Sequence, residues 1–456
     1  MISHFHVSNF KSLKDLSTDL RRFMVLVGPN GAGKTNLVRA LEVFGEILSR
    51  GTVEPIQEHG YDQLIRRERR PARAGLHFSL RVELPPAVVA EQLGYWSMIN
   101  KAVLNQKPEI PSGRFTLEAS IDISGSIHTD EVRVTREELR LQSPRSELVI
   151  TQDERGGTAE PGGDPLLWFF FLQDFIRRIL PSELPKFVKT PSEDLARKLL
   201  TEAFAGSPQS TVDPSLLWLV NWQRRSSAMM QYLRDISRVT RLRLDATALR
   251  RDFAFEEPRE SLLGPTGEGL ASAVSKLRGP KPTPSPQFRK VLEALQEVYP
   301  RIEDVIARRI PSGHLILLFK ERGISEELGQ SSISDGVLHA LALLVALNQG
   351  ASGQPGLLAI EEPENAIHPW PLRKLIARAQ QSSRQIILTT HSETVVNAVT
   401  NPETLFLVEN DDKHGTIVTR ATEREAALKA ILEESGQRLG DVWLDGSLGG
   451  VPGVES

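Results

Sequence analysis

Cysteine is missing from the chain altogether, which excludes disulfides, thiolate zinc sites and a cysteine nucleophile while leaving the compartment open. Neither sign of charge dominates. Lys and Arg number 55 against 58 Asp and Glu, for a formal net charge of −3, so no global basic field announces nucleic acid and any such contact has to come from a local patch. Long apolar runs are lacking too. The most apolar one, residues 166–172, is interrupted by Gln173 and Asp174, far short of the ~20 residues of a spanning helix. The first ten residues alternate like a strand and have no basic stretch leading into an apolar core, so no signal peptide is read. A cytoplasmic protein with no membrane partner is expected. Its 456 residues suffice for a large core and two or three lobes.

What is present starts at residue 23. Phe23 to Val27 is an apolar run suited to a buried strand, and after Lys34 the residues Leu37, Ala40, Leu41, Phe44, Ile47 and Leu48 share one helical face. Between them Gly28, Gly31 and Gly33 complete a G-x-x-x-x-G-K-T pattern ending in Lys34 and Thr35. Such a loop turns successive backbone N–H groups toward an anion. Lys34 is placed to reach the outer phosphates and Thr35 to put its hydroxyl on Mg2+, while the helix beginning near Asn36 aims its positive end at the same charge. ATP with magnesium is the expected ligand, held by Gly28, Pro29, Asn30, Gly31, Ala32, Gly33, Lys34, Thr35 and Asn36.

Two Gly- and Pro-rich stretches, 154–165 and 278–287, suit linkers. Before them, 76–84 and 115–123 alternate as half-exposed antiparallel strands do. Between them, 193–204 and 215–237 have helical spacing. After them the pattern returns to strands and helices in close succession.

Hydrolysis needs carboxylates, expected at the end of a strand neighbouring the loop strand. "LLAIEEPEN" supplies Glu361, placed to orient magnesium, and Glu362, placed to polarise the attacking water. Next, "QIILTTHS" ends in Thr390, His391 and Ser392, and a histidine there could hydrogen-bond the γ-phosphate or the water. Upstream, "SSISDG" opens an apolar helix. Ser334 and Asp335 suit an N-cap, and the turn Ser334–Asp335–Gly336 could present N–H groups and a hydroxyl to a phosphate across a dimer.

With these residues the chain resembles ABC-type ATPases of the RecF/SMC group, and most closely stand-alone ATPases similar to the ATPase half of OLD-family proteins. "VSNFKSLKDL" and "VGPNGAGKTNLVRAL" carry the resemblance at one end; "SISDGVLHALALL", "LLAIEEPENAIHP" and "ILTTHSETVV" carry it at the other. More than three hundred residues separate Lys34 from Glu361, a gap typical of this group. The resemblance implies an α/β P-loop NTPase with an ABC/RecF-type head, a β-rich N-terminal lobe and a helical insertion. It divides the chain into an N-terminal ATPase lobe over 1–153, a mainly helical insertion with its linkers over 154–287, and a C-terminal ATPase lobe over 288–456. It further implies that Ser334, Asp335 and Gly336 form a signature loop acting in trans, "ENAIHP" a D-loop, and His391 a switch histidine beside the catalytic Glu362. Lys11 and Ser12 match a segment near the nucleotide in relatives. The chain departs from the common pattern with Glu361 for Asp, with Asp335 where transporters have Gly, and with no assignable Q-loop glutamine, Gln57 and Gln63 being candidates. About 65 residues follow His391, too few for the Toprim nuclease domain of OLD proteins.

The expected partner is a second copy, two heads closing on two ATP molecules. A separate nuclease or toxin protein, or DNA, fits the same reading. For DNA the candidate patch is Arg66, Arg67, Arg69, Arg70 and Arg73, which as phosphate contacts would read no sequence and as a charge run would more ordinarily be a solvated loop. Roles that compete are the ATPase or sensor of a defence system, a RecF-like repair ATPase, and a nucleotide-binding module without turnover. A transporter ATPase fits least.

Overall fold

The computed structural model describes residues 1–67, 75–91, 113–126, 131–153, 156–161, 228–251, 253–254, 263–281, 283–349, 356–424 and 439–444. The expected helix 193–204, the first half of 215–237, the apolar run 166–172 and Arg69, Arg70 and Arg73 lie outside them. Contacts group the chain into two compact units, one of Met1–Leu20 with Arg39–Arg238 and one of Arg21–Val38 with Val239–Ser456.

The first unit is built on a seven-stranded antiparallel sheet of order β2-β1-β4-β5-β6-β7-β8. Its strands are β1 (Ile2–Phe10), β2 (Leu13–Asp19), β4 (Leu76–Leu84), β5 (Phe115–Gly125), β6 (Val132–Gln142), β7 (Glu147–Asp153) and β8 (Gly156–Pro161). In β5 buried and half-buried residues alternate strictly from Phe115 to Ile123, the pattern of a sheet with one apolar face. That face carries Phe5 and Phe78, against which Phe44 packs, its ring stacked on Phe78 at 5.3 Å. The other face is polar and laced across strands, with His4 bonded to Asp19, His6 to Asp15, His77 to Asp122 and Arg81 to Glu118. One expectation needs correcting here. Residues 156–161, read as part of a linker, pair with β7 from Leu148↔Pro161 to Asp153↔Gly156, because glycine does not prevent an edge strand when a long partner strand offers its ladder.

The second unit holds a six-stranded sheet of order β17-β16-β3-β15-β14-β9. It comprises β3 (Phe23–Val27), β9 (Val239–Leu242), β14 (Leu357–Glu361), β15 (Ile386–Thr390), β16 (Leu405–Asp411) and β17 (Gly415–Arg420). Every pairing is parallel except the β16–β17 hairpin. The three central strands β3, β15 and β14 are buried at every residue, which is why they read as apolar runs, with Glu361, Thr389 and Thr390 as buried polar residues at the ends of β14 and β15. A smaller antiparallel sheet contains β10 (Phe253–Ala254), β11 (Ile302–Arg309), β12 (His314–Glu321) and β13 (Leu328–Gly329). Helices Leu270–Arg278, Pro286–Val298, Asp335–Gln349 and Pro369–Gln381 complete the apolar core of this unit. The Asp335–Gln349 helix is buried almost all round, from Val337 to Ala346. Arg384 ties the layers together, donating to Gly356 O at 3.0 Å, Ala346 O at 3.1 Å and Thr240 Oγ1 at 3.0 Å. Burial lowers its pKa to about 10, so the guanidinium stays charged at neutral pH.

The α/β P-loop architecture and the β-rich N-terminal lobe agree with expectation. Strand order differs in one respect. The carboxylate strand β14 does not neighbour the loop strand β3, since β15 lies between them. The middle third also contributes more than helix. After the Ala228–Ser237 helix it supplies β9 to the six-stranded sheet.

Candidate functional site

Residues 28–33 connect β3 to a helix that runs from Lys34 to Arg50. Gly28 lies so close to β16 that a Cβ would sit 2.2 Å from Val408 O, and only glycine fits. Gly31 and Gly33 take φ of +84° and +105°, conformations glycine adopts without strain. The loop is pinned by Ala32 N donating to Pro29 O at 3.2 Å and by Thr416 Oγ1 donating to Ala32 O at 3.0 Å. Lys34, 7% exposed, donates from Nζ to Gly28 O at 2.6 Å and Pro29 O at 2.9 Å. Burial lowers its pKa against the pull of Glu362 and Glu364.

The two ends of the sequence meet at Thr35. Its Oγ1 donates to Glu361 Oε2 at 3.2 Å. Glu361 is 3% exposed, and its other oxygen accepts from Arg241 Nη1 at 3.4 Å. Glu362 has φ of +50°, held by its N–H donating to Thr389 O at 2.9 Å. Its Oε2 accepts from Arg243 Nη2 and from Asn365 Nδ2, both at 3.2 Å. His391 stands exposed at the end of β15. Glu364 accepts from Thr390 Oγ1 at 2.7 Å and His391 N at 3.2 Å, and lies 3.6 Å from His391 Nδ1.

Sequence reasoning missed Arg241, Arg243 and Glu364. The arginines follow from register: β9 runs parallel to β14 with Arg241 opposite Ala359, so Arg241 and the following Arg243 point the same way as Glu361. The alternation in "TRLRL" was the available signal. Nothing in the sequence said that this strand joins the carboxylate strand.

Ser334 is exposed before the Asp335–Gln349 helix, and its carbonyl accepts from Val337 N at 3.1 Å and Leu338 N at 3.2 Å. Asp335 pairs with Arg250 at 2.5 Å. At Gly336 a Cβ would meet Tyr299 Oη at 2.9 Å and Ala366 O at 3.0 Å. The structure therefore packs this turn beneath the 362–368 loop.

Lys11 and Ser12 belong to the first unit, in the turn between β1 and β2. Lys11 has φ of +48° and its N–H donates to Leu64 O at 2.8 Å, while Ser12 O accepts from Arg66 Nη1 at 2.9 Å. Arg66 thus braces that turn, and Arg67 pairs with Asp62 at 3.2 Å. Gln57 and Gln63 sit on the short helices Glu54–His59 and Tyr61–Leu64. Among the described residues no helix is long and apolar enough to cross a membrane.

Two stretches of the chain match known domain families. Residues 226–397 match the family described as "AAA domain, putative AbiEii toxin, Type IV TA system", and residues 1–56 match an AAA ATPase domain. Both segments match AAA-type ATPase families. One ATPase segment contains the 28–35 loop; the other contains β9, Ser334–Gly336, Glu361, Glu362 and His391. No curated protein matches the sequence. Solved structures similar to the chain include an Smc head bound to the C-terminal winged-helix domain of ScpA, with 13% identity, 92% of this chain and 97% of that one covered, and a TM-score of 0.46. Another is an Smc head with an extended coiled coil bound to the C-terminal domain of ScpA derived from Pyrococcus furiosus, with 9% identity, 94% and 99% coverage, and a TM-score of 0.42. A third is the SMC head domain from Thermotoga maritima, with 10% identity, 92% and 98% coverage, and a TM-score of 0.38.

Proposed function

We propose that the protein binds and hydrolyses ATP, and that two copies close on two ATP molecules. The contact between Thr35 and Glu361 carries this reading, because it joins the phosphate loop to the carboxylate strand in the arrangement hydrolysis requires. Gly28 to Asn36 cradle the phosphates, and Lys34 exchanges its bonds to Gly28 O and Pro29 O for phosphate oxygens. Thr35 and Glu361 are hard oxygen donors beside the phosphate cradle, and Mg2+ is commonly held by one or two carboxylates together with substrate phosphates. Bound there, magnesium would supply charge neutralisation on the β- and γ-phosphates. Glu362, its Oε2 already held by Arg243 and Asn365, orients a water. The water oxygen bonds to the γ-phosphorus as the bond to the β–γ bridging oxygen breaks, giving ADP, phosphate and a released proton. His391, steadied through Glu364, faces the same γ-phosphate.

The exposed Ser334 and the adjoining Gly336 reach the partner's ATP, so each composite site takes its loop from one copy and its signature turn from the other. On the resemblance alone, Lys11 and Ser12 are proposed as further nucleotide contacts. The three-part division at 153 and 287 is proposed as an order of segments along the chain, with 239–287 contributing to the same compact unit as 288–456. The toxin named in the matched family's description favours a defence ATPase over a RecF-like repair ATPase, and a cytoplasmic location and likeness to OLD-family ATPases belong to the same proposal.

Phosphate release and light scattering with MgATP test the reading. ATP-dependent turnover and a doubling of mass are expected. A protein that binds ATP yet stays monomeric and releases no phosphate is a binding module instead.

A further inference from the structure

The turn that precedes the Asp335–Gln349 helix has the makings of a loose segment. Ser331, Ser332 and Ser334 are exposed, only a short 3-10 turn at Gln330–Ser332 is regular, and Ile333 is extended. One side chain bonds to it at several points. Arg250, which follows the Ala246–Leu249 helix, donates from Nη1 to Gln330 O at 2.8 Å and to Ser331 O at 3.1 Å. Its Nη2 donates to Ile333 O at 2.6 Å and Asp335 Oδ1 at 2.5 Å, and Nε donates to the same Oδ1 at 3.1 Å. The clamp is reciprocal. Gln330, 5% exposed, donates back to Arg250 O at 2.8 Å and accepts from Leu317 N at 2.9 Å.

One guanidinium thus fixes backbone carbonyls on the N-terminal side of Ser334 and a carboxylate on its C-terminal side. Only arginine offers five donors in one plane; a lysine ammonium cannot reach three carbonyls and a carboxylate together. The geometry also gives Asp335 a task. A carboxylate in the first turn of a helix suits the helix dipole, and here it anchors the clamp as well.

We propose that Arg250 is a positioning residue that presets the Ser334–Gly336 turn for the partner's ATP. This rests on the closing-heads reading above. A loose turn would have to be ordered on closure at a cost in conformational entropy, and a preordered one avoids that cost. Among the described residues Arg250 bonds to the 330–335 segment and to no residue of the phosphate loop, so its effect falls on closure and spares ATP binding by the monomer.

The test uses Arg250→Ala, Arg250→Lys and the milder Asp335→Asn, each alone and in a Glu362→Gln background that slows turnover. Monomer affinity for ATP is measured at low protein concentration, ATP-driven dimerisation by analytical ultracentrifugation, and loop order by hydrogen exchange. Both Arg250 variants should keep the parental ATP affinity and need about 10- to 100-fold more protein to dimerise, with faster exchange over 330–336 and unchanged exchange over 28–36. Asp335→Asn should fall between them and the parent. Dimerisation of Arg250→Ala at the parental protein concentration overturns the proposal while leaving the reading intact. So does an ATP affinity that falls as far as dimerisation does, since the arginine would then act within its own subunit. A Glu362→Gln parent that never dimerises on ATP removes the closing-heads reading and this proposal with it.

Discussion

Thr35 and Glu361 lie 326 positions apart in the chain, and the threonine hydroxyl donates to the glutamate carboxylate at 3.2 Å. The same carboxylate takes Arg241 on its other oxygen, so a nearly inaccessible negative charge depends on two neighbours.

Removing one of them exposes that dependence. Arg241→Met keeps the apolar stem but leaves Glu361 with the threonine alone, and should lower stability by about 2–3 kcal/mol, near the lower end for breaking a buried pair. MgATP should narrow the gap because the cation restores a positive neighbour. Thermal unfolding with and without MgATP checks both statements; a deficit that MgATP leaves unchanged argues against a cation at Glu361.

Glu362→Gln retains the size and the contacts to Arg243 and Asn365 through an oxygen, yet loses the charge that polarises water. Steady-state phosphate release should fall by about 10²–10⁴, with ATP still bound and the dimer persisting. A variant that turns over at the parental rate assigns that role elsewhere.

Lys34 gives a pH dependence of known sign. Burial holds its pKa below 10.5 in the free protein, so it deprotonates at a lower pH there than an exposed lysine would. Phosphate favours the protonated ammonium, so ATP binding takes up a proton once the free protein has lost one. Affinity should fall as pH rises through the lowered pKa toward 10.5. Calorimetric titration in buffers of different ionisation enthalpy reads both the affinity and the proton uptake; constant affinity up to pH 10.5 means the phosphates do not meet this ammonium.

Gly28→Ala tests the packing beneath the loop. The added Cβ would lie 2.2 Å from Val408 O, a backbone atom of a paired strand with little freedom to retreat. Destabilisation of about 3 kcal/mol is expected, and denaturant unfolding would measure it. Wild-type stability would mean that β16 can move away from β3 at no cost.

Ser334→Arg places bulk and positive charge on the exposed turn. Monomer affinity for ATP should be kept while dimerisation and turnover are lost, measured by calorimetry, light scattering and phosphate release. Loss of monomer binding would place Ser334 in its own subunit's site.

The sequence by itself determined the local pieces. Apolar runs over 23–27, 357–360 and 386–388 made central strands because a strand covered on both faces buries mostly apolar side chains, and alternation over 115–123 made a sheet with one wet face. The glycine-rich loop was legible because its glycines, lysine and threonine all fall within residues 28–35. Only the tertiary structure decided what meets across the chain. Pattern alone could not put β15 between β3 and β14, turn residues 156–161 from an expected linker into an edge strand, or bring β9 alongside β14. Strand order is set by which apolar faces bury together and by crossover geometry, and neither leaves a mark in local composition. That is why Arg241 and Arg243 passed unnoticed beside the glutamates, and why Arg250, 85 residues from Asp335, became visible as its partner only in the folded chain.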